Sequence, residues 1–120
     1  MKVAVTSQGP ELASEVDPRF GRAKFFIVVD TETGQFTTHD NKQNLNAVQG
    51  AGIQAAQNIV NLGVDAVITG NVGPKAFTTL QAGDVKTYIG ASGSVNAAME
   101  QLKAGQLECA SKPNVEGHWA

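Results

Sequence analysis

Apolar and polar positions divide the chain into segments of two periods. "KVAVT" (Lys2–Thr6) is a short β-branched run and predicts a first strand. It is followed by a polar connection of seventeen residues, Ser7–Ala23, carrying Gly9, Pro10, Pro18 and Gly21. A structureless connection of that length is unusual in a compact domain and points to a functional loop. "KFFIVVD" (Lys24–Asp30) is apolar at every position from Phe25 to Val29, the pattern of a strand buried on both faces. "TETG" supplies a hairpin turn ending in Gly34, and "QFTTHD" alternates like an edge strand.

The period then lengthens. Val48, Ala51, Ala55, Ile59 and Leu62 recur at spacings of three and four, predicting an amphipathic helix over Leu45–Leu62 that stops at Gly63. "GAG" (Gly50–Gly52) inside it suits close packing of helix on sheet. "DAVIT" (Asp65–Thr69) predicts a strand and "GNVG" (Gly70–Gly73) a tight loop. Pro74 opens a second helix running to Gly83, with Phe77 and Leu80 inward. "VKTYI" (Val85–Ile89) is another strand and "GASG" (Gly90–Gly93) another glycine-bearing loop. Ser94 caps a third helix whose buried stripe is Val95, Ala98, Met99 and Leu102, and Gly105 stops it. Residues 106–120 read as a loosely structured tail after a core of residues 2–105, all within one domain, 1–120.

The order βββαβαβα predicts an α/β fold. The hairpin strands pair antiparallel, while strands joined through helices run parallel by right-handed crossovers. The expected architecture is a five-stranded mixed sheet, order 3-2-1-4-5 with strand two antiparallel, and helices on both faces. Strands one and four are then neighbours whose connections leave in opposite directions, so their carboxyl ends open a crevice of the kind that receives ligands. The loops Ser7–Arg22, Gly70–Gly73 and Gly90–Gly93 converge there, and two of them lead into helix N-termini, which favour anions.

Composition narrows the partner. A formal net charge of −2 gives no whole-molecule attraction to nucleic acid or an anionic membrane, so an anion site must be local. The single cysteine excludes an intramolecular disulfide framework, no apolar run reaches the roughly 20 residues of a bilayer span, and "MKVAVTSQGP" does not read as a signal peptide. The expected location is the cytoplasm. Arg19 and Arg22 flank Phe20 and Gly21 at the mouth of the crevice and supply permanent charge with planar donors. With Gly70, Asn71, Gly73 and Ser92 they form the candidate binding set. The competing reading of "RFGR" is plain punctuation, with Phe20 tucked into the core, Gly21 turning, and the arginines solvated or paired with Asp17. "GNVGPK" lacks the spacing of a phosphate loop and by itself equally suits a tight strand-to-helix turn.

"VDPRFGRAKFFIVVD" followed by "VDAVITGNVGPKAFTTLQAGDVKTYIGASGSVNAAMEQLKAG" resembles the dinitrogenase iron–molybdenum cofactor biosynthesis family, over about Lys2–Gly105. The resemblance implies a three-layer ribonuclease H-like fold. It also implies an anionic iron–sulfur or iron–molybdenum cluster, or its precursor, as bound cargo, exchanged with a cluster-donor or acceptor protein. The matching positions are Asp17, Arg19, Phe20, Gly21 and Arg22 in the first stretch and Gly70, Gly73 and Pro74 in the second. Arg19 stands where nitrogen-fixation members often carry histidine, and arginine is a poor metal ligand. The alternative is a regulatory or scaffolding module that takes a phosphorylated metabolite or a protein partner in the same cleft.

Catalysis has little support from these residues. Two-metal hydrolysis needs several carboxylates on central strands; strand one has none, Asp65 precedes strand four, and Asp30 ends strand two on the far side. No serine–histidine or cysteine–histidine set is visible. Cys109 reads as an incidental thiol, and His39 and His118 as solvated side chains without partners at metal-binding spacing.

Overall fold

The computed structural model describes residues 1–41 and 51–113. In chain order the elements are β1 (Lys2–Ser7), a 3-10 turn (Phe20–Arg22), β2 (Phe25–Asp30), β3 (Phe36–Asp40), α1 (Ala51–Asn61) and β4 (Ala66–Ile68). They continue with α2 (Pro74–Ala82), β5 (Lys86–Ile89), α3 (Val95–Lys103) and β6 (Glu108–Cys109). The start expected for the first helix at Leu45, with Val48 and Gly50, lies outside the described residues.

One mixed sheet runs in the order β3-β2-β1-β4-β5-β6. β2 is antiparallel to both β1 and β3, while β1, β4 and β5 are parallel neighbours. The expected order is reproduced, but the sheet has six strands and not five. The added strand comes from the segment read as loose tail: Tyr88 faces Cys109 and Ile89 faces Glu108, antiparallel, and the Ala110 N–H donates to the Thr87 carbonyl at 2.8 Å. Leu107 and Ala110 pack against opposite faces of the sheet, which anchors the return. A two-residue strand carries too little alternation to be read from sequence.

Side chains alternate across the sheet as period two requires. Ala4, Phe26, Val67, Val85 and Ile89 face α1 and α2, meeting Ala55, Ala56 and Ile59 of one helix and Ala76, Phe77 and Leu80 of the other. Val3, Val5, Ile27, Val29, Ala66 and Ile68 face α3 through Val95, Ala98 and Met99. Each central strand is therefore apolar on both faces, and the helices complete three layers. A methyl at Gly83 would meet Val60 Cγ2 at 2.5 Å, so the glycine that ends α2 also lets it seat against α1.

The connection Ser7–Ala23 is not structureless. Ser7 bridges Val16, Glu15 bridges Ser94 and Arg19 bridges Asn71, so the loop is pinned at three points to strand β1 and to the loops before α2 and α3. Cross-loop backbone hydrogen bonds, absent from any local pattern, supply this order.

Candidate functional site

The switch point of the sheet, where the expected crevice falls, lies at the carboxyl ends of β1 and β4, with β1 leading away toward β2 and β4 toward α2. Threonines close both strands. Thr6 Oγ1 lies 2.7 Å from the Asp17 carbonyl and 2.9 Å from Thr69 Oγ1, and all three residues are buried. Beyond them the two loops are stitched edge to edge. The Asn71 amide donates to the Pro18 carbonyl at 2.7 Å, its side-chain Nδ2 donates to the same oxygen at 3.2 Å, and the Phe20 amide donates to the Asn71 carbonyl at 3.3 Å. This approach has no room for a side chain at Gly70, where a Cβ would stand 2.8 Å from Pro18 Cα.

The stitched turn displays the arginines. Asp17 is buried and accepts the Arg19 backbone N–H at Oδ1, 2.9 Å, an Asx turn that sets the direction of the loop. Arg19 Nε stands 3.9 Å from the same oxygen, with the arginine side chain 54% exposed and the aspartate side chain 6%. Phe20 is fully buried and stacks on Phe26, ring centroids 6.0 Å apart, while Gly21 is buried behind it. Of the four "RFGR" residues, Phe20 and Gly21 therefore anchor the turn in the core. Arg19 reaches solvent, and Arg22 is partly buried.

The two helix N-termini differ. That of α3 is consumed by the first loop: Val95 and Asn96 donate to the carbonyls of Ser14 and Leu12, and Ala97 donates to Ser94 Oγ at 3.0 Å. Ser92 is exposed beside it, and its carbonyl accepts Gln101 Nε2 at 2.9 Å. The N-terminus of α2 is different, because Gly73 stands at its cap with no side chain to offer and no acidic residue occupies its first turn. Instead the exposed Lys75 sits there, a cation at the positive end of the helix dipole. Lys75 did not emerge from sequence reading; the signal was a lysine directly after the helix-opening proline. The structure thus brings Arg19 beside Asn71 in the Gly70–Gly73 loop that leads into α2, and sets Ser92 at a helix already capped.

Other candidates sit apart. Cys109 is exposed on the outer strand. His39 is partly exposed on the edge strand β3, 3.0 Å from Thr37 Oγ1 through Nε2; His118 lies outside the described residues. Among the described residues no group of three or more His, Cys, Asp and Glu is placed to hold a metal ion, and no helix is long and apolar enough to cross a membrane. A groove of about 640 Å³ opens at the opposite end of the sheet between Lys2, Val28, Asp30 and Phe36. There the Glu32 amide holds the Asp30 carboxyl below the usual carboxylate range, against some desolvation and helped by Thr33. A groove holding one charge of each sign has no anion-binding set.

The fold as a whole matches those of known proteins. The structure superposes on the apo form of the orange protein from Desulfovibrio gigas with a TM-score of 0.92 at 42% identity, covering 95% of this chain and 96% of that one. A NifB-like protein from Thermotoga, of the DUF35 family, matches with a TM-score of 0.83 at 38% identity, over 97% and 98% of the two chains. An uncharacterised protein of Methanocaldococcus jannaschii is 30% identical over 110 residues, 90% of each chain. The family model for the dinitrogenase iron–molybdenum cofactor family matches residues 1–105, which takes in both stitched loops and the three helices of the described residues, and the chain belongs to that family.

Proposed function

We propose that this chain is a small carrier for an anionic iron–sulfur or iron–molybdenum cluster, or its precursor, held as cargo in the crevice between the β1 and β4 loops. The observation that carries the reading is the uncapped first turn of α2, entered from the loop that Arg19 bridges at Asn71, with Lys75 adding positive charge against the local dipole preference. Nothing in folding favours that concentration of donors and cations, and a bound anion would stabilise it. Recognition by arginine, lysine and backbone amides suits the anionic periphery of a preassembled group. Family membership, and a relative named for its colour and solved in an apo form, favour a metal-containing cargo over a phosphorylated metabolite. We assign the chain no catalytic step, since β1 carries no carboxylate and Asp65 precedes β4. The ribonuclease H-like label for the fold belongs to the same reading.

Anaerobic incubation with iron, sulfide and molybdate, followed by gel filtration, tests it. The wild-type chain should retain metal-dependent visible absorbance. The Arg19→Gln variant should bind at least about tenfold more weakly, since a charge-assisted contact contributes roughly 1.5–3 kcal/mol and tenfold is about 1.4 kcal/mol. Its melting temperature should barely move, because exposed substitutions usually stay within about 0.5 kcal/mol. Unchanged binding with a clear loss of stability would make "RFGR" a structural brace and end the proposal. Tight binding of phosphate compounds without any colour would assign the crevice to a regulatory module.

A further inference from the structure

Asp17 is a charge that the fold does not require. Its side chain is 6% exposed, so its carboxylate is largely withdrawn from water. In return it accepts the backbone amide of Arg19 at 2.9 Å and faces Arg19 Nε at 3.9 Å. The second distance is about an ångström longer than the roughly 2.7–2.9 Å of a charge-assisted hydrogen bond. With Arg19 half exposed, such a pair adds little to stability. The turn itself needs only an acceptor at position 17, and asparagine or serine would accept the same N–H without burying a charge. Backbone contacts already fix the position: the Asp17 amide donates to the Thr6 carbonyl at 2.9 Å and the Asp17 carbonyl accepts Thr6 Oγ1 at 2.7 Å. The negative charge is therefore surplus to the architecture, and it stands at the root of the cationic side chain that lines the crevice.

We propose that Asp17 is a specificity-determining residue of the crevice: its buried carboxylate beside Arg19 rejects small, highly charged oxyanions such as phosphate and leaves the site to larger anions that spread their charge. This rests on the anion-binding reading of the crevice and names the class of anion. Repulsion between a fixed carboxylate and a ligand grows with the ligand's charge and falls with distance. A compact dianion held against Arg19 carries its whole charge close to Asp17. A larger anion of equal charge also reaches the first turn of α2 and Lys75, and keeps much of its charge away from the carboxylate. Specificity arises here from a repulsive element built into an attractive site.

The test compares orthophosphate with tetrathiomolybdate, two probes of equal formal charge at mildly alkaline pH, on wild-type protein and Asp17→Asn, which keeps the acceptor for the Arg19 amide. Asp84→Asn, at the opposite end of β5, controls for the change in net charge. Asp17→Asn should bind phosphate at least tenfold more tightly than wild type, with a steeper salt dependence, while tetrathiomolybdate affinity changes less than threefold and Asp84→Asn changes neither. Asp17→Ser offers a hydroxyl to the same amide and should behave alike if the asparagine variant misfolds. Phosphate affinity within twofold of wild type in a folded variant would overturn the proposal, as would an equal gain for both probes. A wild type that takes up no cluster, with phosphate still gained in Asp17→Asn, would sink the carrier reading and keep the filter. A wild type that takes up cluster, with no gain for phosphate, would do the reverse.

Discussion

Replacing Gly70 by alanine should separate the two loops that form the crevice. The added methyl would sit 2.8 Å from Pro18 Cα and 3.0 Å from both Pro18 Cβ and its carbonyl oxygen. Non-bonded carbons rest at about 3.5–4.0 Å, so Pro18 must retreat by up to about 1 Å. The obstacle is backbone and proline ring, not the end of a flexible side chain, and it cannot swing aside. The same retreat stretches the 2.7 Å bond from the Asn71 amide to the Pro18 carbonyl and the 3.3 Å bond from the Phe20 amide to the Asn71 carbonyl. Overpacking typically costs about 1–3 kcal/mol and each weakened hydrogen bond about 1 kcal/mol. A total near 3–5 kcal/mol follows, which at about 4 °C per kcal/mol for a domain of this size lowers Tm by roughly 12–20 °C. Gly105→Ala is the comparison. Gly105 has a φ of +71°, and among the described residues a methyl added there would meet nothing within 4 Å, so only left-handed strain, about 1–2 kcal/mol, applies. Thermal unfolding followed by circular dichroism reads both. A Gly70→Ala Tm within about 2 °C of wild type, or a smaller loss than Gly105→Ala shows, would refute the close-approach argument.

Two further outcomes concern the rim of the sheet. Thr87 is 2% exposed and its Oγ1 has no hydrogen-bond partner among the described residues, so Thr87→Val removes an unpaired buried hydroxyl at nearly constant shape. Stability should rise by about 1 kcal/mol in urea unfolding, and a fall of that size would mean the hydroxyl is satisfied in solution. Cys109→Ser alters an exposed side chain on a two-residue outer strand, so both Tm and cluster uptake should match wild type. A tenfold loss of uptake would make the thiol a ligand.

Much of this architecture is legible in the sequence because it is periodic. Phe25–Val29 announces burial on both faces, and β2 is indeed covered by Phe20 from one side and by the α3 layer from the other. Ser94 announces the start of α3, and its hydroxyl accepts the Ala97 amide as a cap should. The unread parts are those made by pairing segments distant in sequence. β6 exists only because β5 offers an edge, and the order of the Ser7–Ala23 connection comes from bonds to residues 71–96. The candidate site divides along the same line. The glycines and arginines were visible as residue types, whereas the availability of one helix N-terminus and the occupation of the other depend on where Leu12 and Ser14 place their carbonyls.

That division is why the proposed anion site centres on α2 and not on α3. An anion site at the end of two parallel strands needs donors that the fold has not already used. The first loop has two tasks at this place, and it performs them with different halves. Residues 12–16 satisfy α3 and extend the sheet's hydrogen bonding, which removes that helix from any ligand chemistry. Residues 17–22 turn back over Gly70, anchor through the buried Phe20, and bridge at Arg19 to Asn71, in the loop that leads to the helix with no cap of its own. The anchoring keeps the cost of ordering the arginine loop within folding, so a ligand need not supply it on binding. A loop held this firmly would favour recognition of a rigid preassembled anion, and under the proposed filter it holds the discriminating charge, Asp17, within the same fixed turn as the attracting one.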